Sequence, residues 1–389
     1  MGAASQMKEL AFSREEYTRR LAAVQEGMRE AHVDGLLLFD PENLFYLTGF
    51  ETVGYSAFQL ALVLASGEPQ LLVREMERAG ARRSSWLTAE PAIYGDDDAP
   101  AEAAVALLRT QGLAGARIGL NTRSRFLPVD AYRRFQAGLE TADFVDEPGL
   151  VERARMIKSP LEVDCIRHAA RYTEVGMAAA MDRIHAGAMD NEVGAAAAAA
   201  LFAAGSEYLS ADPIVTVGPR SGVAHTTFAR RRITPGDAIL LEIGAVHHRY
   251  AGPLMRSAVA GPPSDLIRRM YDTCDRALDA ALRTMRPGVT GAQVHAACQQ
   301  VIDEAGFEPN FRKRTGYSVG VGFAPDWGEG HIVHLSRAAQ TPLQPGMVFH
   351  LPPALREEGV AGVGCSETVL VTEDGVEVLT SFSRSLRIC

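Results

Sequence analysis

Residues 156–167 of the chain read MIKSPLEVDCIR. Ser159, followed three positions later by Glu162, is a capping box, in which each side chain accepts a hydrogen bond from the backbone N–H of the other residue. Pro160 occupies the first helical position, where its missing N–H costs nothing. The stretch therefore predicts the start of a long helix, reaching about residue 184, and with it the start of a second domain.

Downstream of this helix, the pattern alternates between pairs of helices and groups of strands. Further helices are predicted at residues 191–204, 264–285 and 291–305. Strands are predicted at 214–217, 238–246, 255–260, 319–323, 347–351, 368–372 and 376–380. This order indicates an internally duplicated α+β unit around a curved sheet.

Upstream of residue 156, short apolar runs alternate with helical patterns. A second capping box, at Ser13 and Glu16, opens a helix that is followed by a buried strand at residues 35–39. The segment predicts a smaller, mixed α/β domain over residues 12–150, and the second domain is expected over residues 156–389.

The composition of the 389-residue chain excludes several classes of protein. Its hydrophobic content of 47% and ordinary contents of Gly and Pro predict compact folding rather than disorder. A net charge of -9 without a basic block argues against a nucleic-acid partner. No stretch approaches the roughly 20 apolar residues that cross a bilayer. The five cysteines are widely spaced, which favours a reducing, cytoplasmic environment.

Several segments resemble one known family, that of the creatinases, prolidases and aminopeptidases P. They are residues 156–167, the string NLFYLTGF at 43–50, and the segments 218–261 and 316–322. The resemblance covers most of residues 12–385. It implies an α+β pita-bread catalytic domain preceded by a smaller, creatinase-like α/β domain.

Metallopeptidases of this family bind two metal ions through two Asp, one His and two Glu. By resemblance, these ligand positions fall on Glu242, Pro253, Tyr317, Pro352 and Ser366. Proline has no side-chain donor atom and serine is a poor ligand, so this set cannot rebuild a two-metal cage. We therefore expect an enzyme with no metal and no other cofactor.

Within the family, the sequence most resembles the ectoine hydrolases, a metal-independent branch. The similar strings are RYAGPLMR at 249–256, GYSVG at 316–320, PDWGE at 325–329, FH at 349–350 and SET at 366–368. Residues 51–59 depart from the likeness, because they lack the Trp expected beside the substrate. The resemblance implies hydrolysis of a non-peptide C–N bond in a small cyclic amidine or a related nitrogen-rich metabolite.

Glu242 and His225 are the expected catalytic residues. By resemblance, His225 matches a histidine that contacts the substrate in family members and serves as acid and base in creatinase, which is also metal-free. We expect Glu242 to act as base or nucleophile and His225 to pass a proton to the leaving nitrogen. An amidinium is already electrophilic, so no Lewis acid is required. The plainer alternatives are a carboxylate paired with an arginine and a turn histidine bonded to the backbone.

Six further residues are expected to bind the substrate. Trp327 can stack on a cationic ring, and Tyr317 can form a pocket wall or donate a hydrogen bond. Their alternatives are a loop anchor and a core tyrosine, respectively. The remaining candidates are the cation binders Asp326, Glu329 and Glu367, and Tyr55 in the N-terminal segment.

Other functions stay open from the sequence. A metal-free relative can act as a hydrolase, lyase or cyclase on another small metabolite, and a pseudoenzyme would bind a ligand without converting it. A metallopeptidase with an unusual site would retain stoichiometric metal and cleave Xaa-Pro peptides. By resemblance, we expect a homodimer that takes a small-molecule substrate and has no membrane partner.

Overall fold

The computed structural model describes residues 8–147, 149–311 and 313–389. The chain divides into two compact units between Arg155 and Met156. Each unit has its own sheets and its own buried apolar clusters. None of the helices in these ranges is both long enough and apolar enough to span a membrane.

The N-terminal unit is a mixed sheet flanked by helices. The helices are α1 (Arg14–Glu30), α2 (Pro41–Thr48), α3 (Arg78–Ser84), α4 (Pro100–Thr110), α5 (Val129–Gly138) and α6 (Leu150–Met156). The strands are β1 (Gly35–Leu38), β2 (Leu60–Leu64), β3 (Gln70–Arg74), β4 (Ala92–Tyr94), β5 (Arg117–Leu120) and β6 (Asp143–Asp146). They lie in the order β4-β3-β2-β1-β5-β6. Leu37 and Ile118 of the sheet pack with Phe135 of α5 in the core of this unit.

The C-terminal unit contains the longer elements. Its helices are α7 (Pro160–Asp182), α8 (Asp190–Ala204), α9 (Asp265–Thr284) and α10 (Gly291–Glu304). Its strands are β7 (Ile214–Val217), β8 (Ala238–His247), β9 (Tyr250–Val259), β10 (Gly316–Ser318), β11 (His334–Leu335), β12 (Val348–Leu351), β13 (Ala354–Glu357), β14 (Ala361–Gly364), β15 (Glu367–Val371), β16 (Val376–Val378) and β17 (Arg387–Ile388).

Three sheets organise this unit. Their strand orders are β17-β9-β8-β7, β11-β10-β12-β15-β16 and β13-β14. The capping box at Ser159 and Glu162 starts α7, as predicted. On β8, Leu241 and Ile243 face the apolar cluster that includes Met177 of α7, so Glu242 between them faces the other side of the sheet.

Two predicted strands differ from the structure. The strand expected at 319–323 is reduced to isolated bridges, because this segment runs between two sheets and bonds to β9 as well. β9 starts at Tyr250 rather than at residue 255 and so includes Gly252 and Pro253. Gly252 is required there because a Cβ atom would lie 2.5 Å from the backbone nitrogen of Ala170 in α7.

Candidate active site

Glu242 is a buried carboxylate without a direct partner. Its side chain is 8% exposed, and it forms no hydrogen bond or ion pair in the part of the chain that the structure describes. Burial raises the pKa of its carboxyl, while the positive charges of Lys313 and Arg356, and then His225, act in the opposite direction. A carboxyl with a raised pKa takes up a proton more readily than an ordinary glutamate does, which suits a general base.

Lys313 and Arg356 are the cations within electrostatic range of Glu242. Lys313 is exposed as a whole residue, and desolvation by the surrounding protein lowers the pKa of its ammonium to about 8 although Glu242 raises it. Arg356 is partly buried and donates from Nη1 to the backbone oxygen of Ser221 at 3.4 Å. Together they make the surroundings of Glu242 attractive to an anionic group of a ligand.

His225 lies on an exposed turn close enough to Glu242 to affect its charge. Its backbone has a φ of 54°, in the left-handed region that is costly for a residue with a Cβ atom. The preceding turn, Gly218–Gly222, is fixed against β14, because the N–H of Gly362 donates to Ser221 Oγ at 2.7 Å. The turn thus holds an accessible imidazole within electrostatic range of the carboxylate.

Four side chains form a continuous hydrogen-bonded chain beside Glu242. Trp327 Nε1 donates to Tyr317 Oη at 2.9 Å, and Tyr317 Oη lies 3.1 Å from His350 Nδ1. The other ring nitrogen of His350 lies 2.7 Å from Ser366 Oγ, which also accepts the N–H of Met255 at 2.6 Å. Burial and the negative charge of Glu242 raise the pKa of Tyr317, so its phenol stays protonated.

Trp327 is anchored above β8. Its side chain is 7% exposed, and a Cβ atom at Gly244 would lie 3.4 Å from its Cε3. Gly244 follows Glu242 by two positions and therefore lies on the same face of the strand. Asp326, next to Trp327, is exposed and accepts the N–H of Gly328 at 2.8 Å. The indole face of Trp327 and the carboxylate of Asp326 are thus both on the loop that follows β10.

Glu329 and Glu367, expected from the sequence to bind a substrate cation, are each engaged by a cation of the protein itself. Glu329 Oε2 lies 2.7 Å from Lys158 Nζ, with both side chains 1% exposed. Glu367 Oε1 lies 2.9 Å from Arg256 Nη2, also buried. A substrate cation at either carboxylate would have to compete with these internal ion pairs.

Tyr55 belongs to the N-terminal unit. Its ring packs edge-on against Phe126, with 6.4 Å between the ring centroids. It lies in a turn rather than in a helix or strand, and its side chain is partly exposed. Its role in substrate binding stays a prediction.

The family's two-metal site does not fit the residues present. By resemblance, the positions of its ligands fall on one carboxylate, Glu242, with two prolines, a tyrosine and a serine. The described residues contain no group of three or more His, Cys, Asp or Glu side chains that could hold a metal ion. Pro253 and Pro352 offer no side-chain donor atom. The hydroxyl groups of Tyr317 and Ser366 are each hydrogen-bonded to a ring nitrogen of His350.

Sequence reasoning missed Lys313, Arg356 and the role of His350. No spacing links them to Glu242, because they come from loops and strands that follow α10. One signal was available: the chain has 39 basic residues, of which only Lys8, Lys158 and Lys313 are lysines. In such an arginine-rich chain, a lysine near a candidate catalytic carboxylate is notable because an amine, unlike a guanidinium, can lose its proton.

Comparisons with known proteins agree in the family they point to. Residues 164–373 match the model of metallopeptidase family M24, and residues 20–157 match the creatinase/prolidase N-terminal domain. The chain is 33% identical to an uncharacterized hydrolase/peptidase, y4tL, of Sinorhizobium fredii, over 96% of this chain and 97% of that protein. It is 28% identical to the ectoine hydrolase of Halomonas elongata, over 97% and 98% of the two chains.

A solved structure extends the likeness to the fold. The crystal structure of dipeptidase PepE from Mycobacterium ulcerans superimposes with a TM-score of 0.85 at 26% sequence identity. It covers 97% of this chain and 99% of its own. The named relatives thus include both an ectoine hydrolase and a dipeptidase, so their names alone do not identify the bond that this chain cleaves.

Proposed function

The chain belongs to the M24 family of hydrolases, with a creatinase-type α/β domain ahead of a pita-bread domain, and we propose that it hydrolyses a non-peptide C–N bond in a small amidine without a metal ion. The relative from Halomonas elongata is an ectoine hydrolase, and ectoine is the substrate we test first. The observation that carries the proposal is the carboxylate of Glu242, which is buried and has no partner among the described residues. By resemblance it stands at a metal-ligand position of the family, and two of the other four ligand positions hold prolines.

The proposed reaction places an amidinium against Glu242. A cationic amidinium offers N–H donors that match a carboxylate, and its charge would lower the pKa of Glu242 and keep it ionised. Trp327 supplies an aromatic face beside the same strand, which favours a cationic, planar ligand. The ligand's own charge then makes the carbon electrophilic without a Lewis acid.

The bond changes are those of addition and elimination. Glu242 takes a proton from water while the water oxygen bonds to the amidinium carbon. His225 donates a proton to one nitrogen, the C–N bond to that nitrogen breaks, and its electron pair stays on the leaving amine. As the C=O bond forms, the remaining hydroxyl proton passes to the departing amine, which leaves as an ammonium, and the carbon keeps the new oxygen and the other nitrogen as an amide, so the reaction adds one water. Glu242 then passes its proton on to solvent or to His225.

The test is mass spectrometry of ectoine, hydroxyectoine and creatine after incubation with protein that has been treated with a chelator. We expect ectoine to gain one water, at a rate that added Mn²⁺ or Zn²⁺ does not raise. Three unchanged substrates would turn attention to another small metabolite. Binding of ectoine with no product would identify a pseudoenzyme, and cleavage of an Xaa-Pro dipeptide only after metal addition would contradict the proposal.

A pair of variants assigns the two catalytic roles. Glu242→Gln and His225→Gln should each lower the rate of hydrolysis by roughly 100-fold or more, as loss of an acid or base does. Glu192→Gln is a matched control, because Glu192 is exposed on α8 and faces Arg183 at 3.9 Å. Near-normal turnover in Glu242→Gln would exclude this carboxylate as the base.

A further inference from the structure

His350 is buried between two hydroxyl groups. Its side chain is 0% exposed, and each ring nitrogen has one hydroxyl partner, Tyr317 on Nδ1 and Ser366 on Nε2. Burial, with the positive charges of Lys313 and Arg256, lowers the pKa of His350 well below its ordinary value. The imidazole is therefore neutral and carries one proton, on one nitrogen or the other.

A proton on Nε2 leaves a buried hydroxyl hydrogen without an acceptor. In that tautomer Ser366 Oγ accepts hydrogen bonds from both His350 and the N–H of Met255. The hydrogen of Ser366 itself then has no further acceptor in the described part of the chain, and this side chain is 0% exposed. An unsatisfied buried donor of this kind disfavours the tautomer by roughly tenfold or more.

A proton on Nδ1 satisfies the two fully buried members of this hydrogen-bonded set, His350 and Ser366, and leaves the Tyr317 hydroxyl hydrogen without a partner among the four side chains. Ser366 then donates to Nε2 while accepting from Met255, and His350 donates to Tyr317 Oη. Tyr317 Oη also accepts from Trp327 Nε1, so both hydrogen bonds to its oxygen are incoming. The hydroxyl hydrogen of Tyr317 must therefore be directed elsewhere, and Tyr317 is partly exposed whereas His350 and Ser366 are fully buried.

We infer that His350 is a positioning residue that carries its proton on Nδ1 and so fixes the Tyr317 hydroxyl as a hydrogen-bond donor toward the ligand. The ligand atom opposite Tyr317 must then be an acceptor, such as a carboxylate oxygen or an amide oxygen. The ionised carboxylate of Glu242 can only accept hydrogen bonds. The ligand must therefore have donors at the end that faces Glu242 and an acceptor at the end that faces Tyr317. The role of these donor and acceptor positions in catalysis rests on the proposed function, whereas the position of the proton on His350 Nδ1 does not.

The position of the proton can be measured directly. Protein labelled with ¹⁵N in its histidines gives separate nitrogen resonances for protonated and bare ring nitrogens, and the His350 signals are those lost in His350→Gln. We expect one proton, on Nδ1, over the range from about pH 6 to 8. A proton on Nε2, or an imidazolium at neutral pH, would overturn the inference whether or not any substrate is turned over.

The donor role of Tyr317 is tested with two small probes that differ in hydrogen-bonding character. Acetate has only acceptors and acetamidinium has only donors, and the binding of each is followed by ligand-observed NMR. In Tyr317→Phe, acetate should bind roughly 2- to 10-fold more weakly while acetamidinium is unaffected. Tyr271→Phe, which removes a buried hydroxyl bonded to the backbone oxygen of Arg384, is the matched control and should change neither.

Either of two results would refute a fixed donor. Selective weakening of acetamidinium would mean that Tyr317 accepts, and unchanged binding of both probes would mean that its hydroxyl does not face the ligand. His350→Gln should move acetate binding in the same direction as Tyr317→Phe, because the hydroxyl is then free to turn. A structural defect alone would weaken both probes equally.

Discussion

Replacing Glu242 with Gln should make the protein more stable at neutral pH while it abolishes catalysis. Glu242 is 8% exposed and has no hydrogen-bond or ion-pair partner among the residues that the structure describes, and burial raises the pKa of its carboxyl despite the nearby cations. The folded protein therefore holds the ionised carboxylate less well than water does. A neutral Gln of the same shape removes this cost, which we place at about 1 to 3 kcal/mol in the free energy of unfolding.

The sign of the effect depends on pH. Because the pKa of Glu242 is higher in the folded chain than its ordinary value of 4.5, its contribution to stability is fully present below that value. That contribution is lost as the pH rises through the folded-state pKa. Gln cannot ionise, so the gain of Glu242→Gln over the wild type should be larger at about pH 7.5 than at about pH 4.

The assay is equilibrium urea unfolding of both proteins at the two pH values. The matched control is Glu329→Gln, the same substitution at a buried carboxylate that pairs with Lys158 at 2.7 Å. Removing one partner of a buried pair should cost about 3 to 5 kcal/mol, so the two Glu-to-Gln changes have opposite signs. A Glu242→Gln protein that is no more stable than the wild type at neutral pH, or whose gain is undiminished in acid, would refute the reasoning.

Two further predictions concern the residues around Glu242. Because desolvation lowers the pKa of Lys313 to about 8, its modification by an amine-acylating reagent should have a pH midpoint near 8, which peptide mapping can follow. A midpoint near that of free lysine would contradict the desolvation of its ammonium. Gly244→Ala should destabilise the protein by about 1 to 3 kcal/mol, because its Cβ atom would lie 2.5 Å from Ser210 Oγ and 3.4 Å from Trp327 Cε3. Gly80→Ala, which meets nothing within 4 Å in α3, is its control in thermal unfolding and should be neutral or slightly stabilising.

The fold was accessible from the sequence because its decisive signals are local. The two predicted capping boxes place the starts of α1 and α7 correctly, although of these two helices only α7 shows the reciprocal pair of bonds, and α1 is capped by Ser13 alone among the described residues. The pita-bread fold expected from the family resemblance is confirmed by the match to the family model and by the solved relatives. The prediction of a continuous strand at 319–323 was wrong because the backbone groups of this segment bond partly to one sheet and partly to another. No local sequence pattern shows this division.

The sequence could predict only those site residues that stand out individually. Glu242 stands out as the acidic residue of an otherwise apolar strand, and the structure buries it within electrostatic range of His225. The partners of Tyr317 could not be predicted, since His350 lies 33 residues further along and reaches Tyr317 only through the pairing of β10 with β12. Long-range pairing of this kind depends on the whole sheet rather than on spacing.

By resemblance, Pro253 and Pro352 stand at metal-ligand positions of the family, and their burial makes these positions difficult to convert into ligands. Pro253 and Pro352 are buried, as is Ser366, so a single change of any one of them to Asp or Glu would place a charge in the protein interior with no metal to neutralise it. Each such intermediate would lose stability before any metal affinity was gained. A metal site at these positions would therefore need several substitutions together, because each one alone costs stability before the others can contribute a ligand.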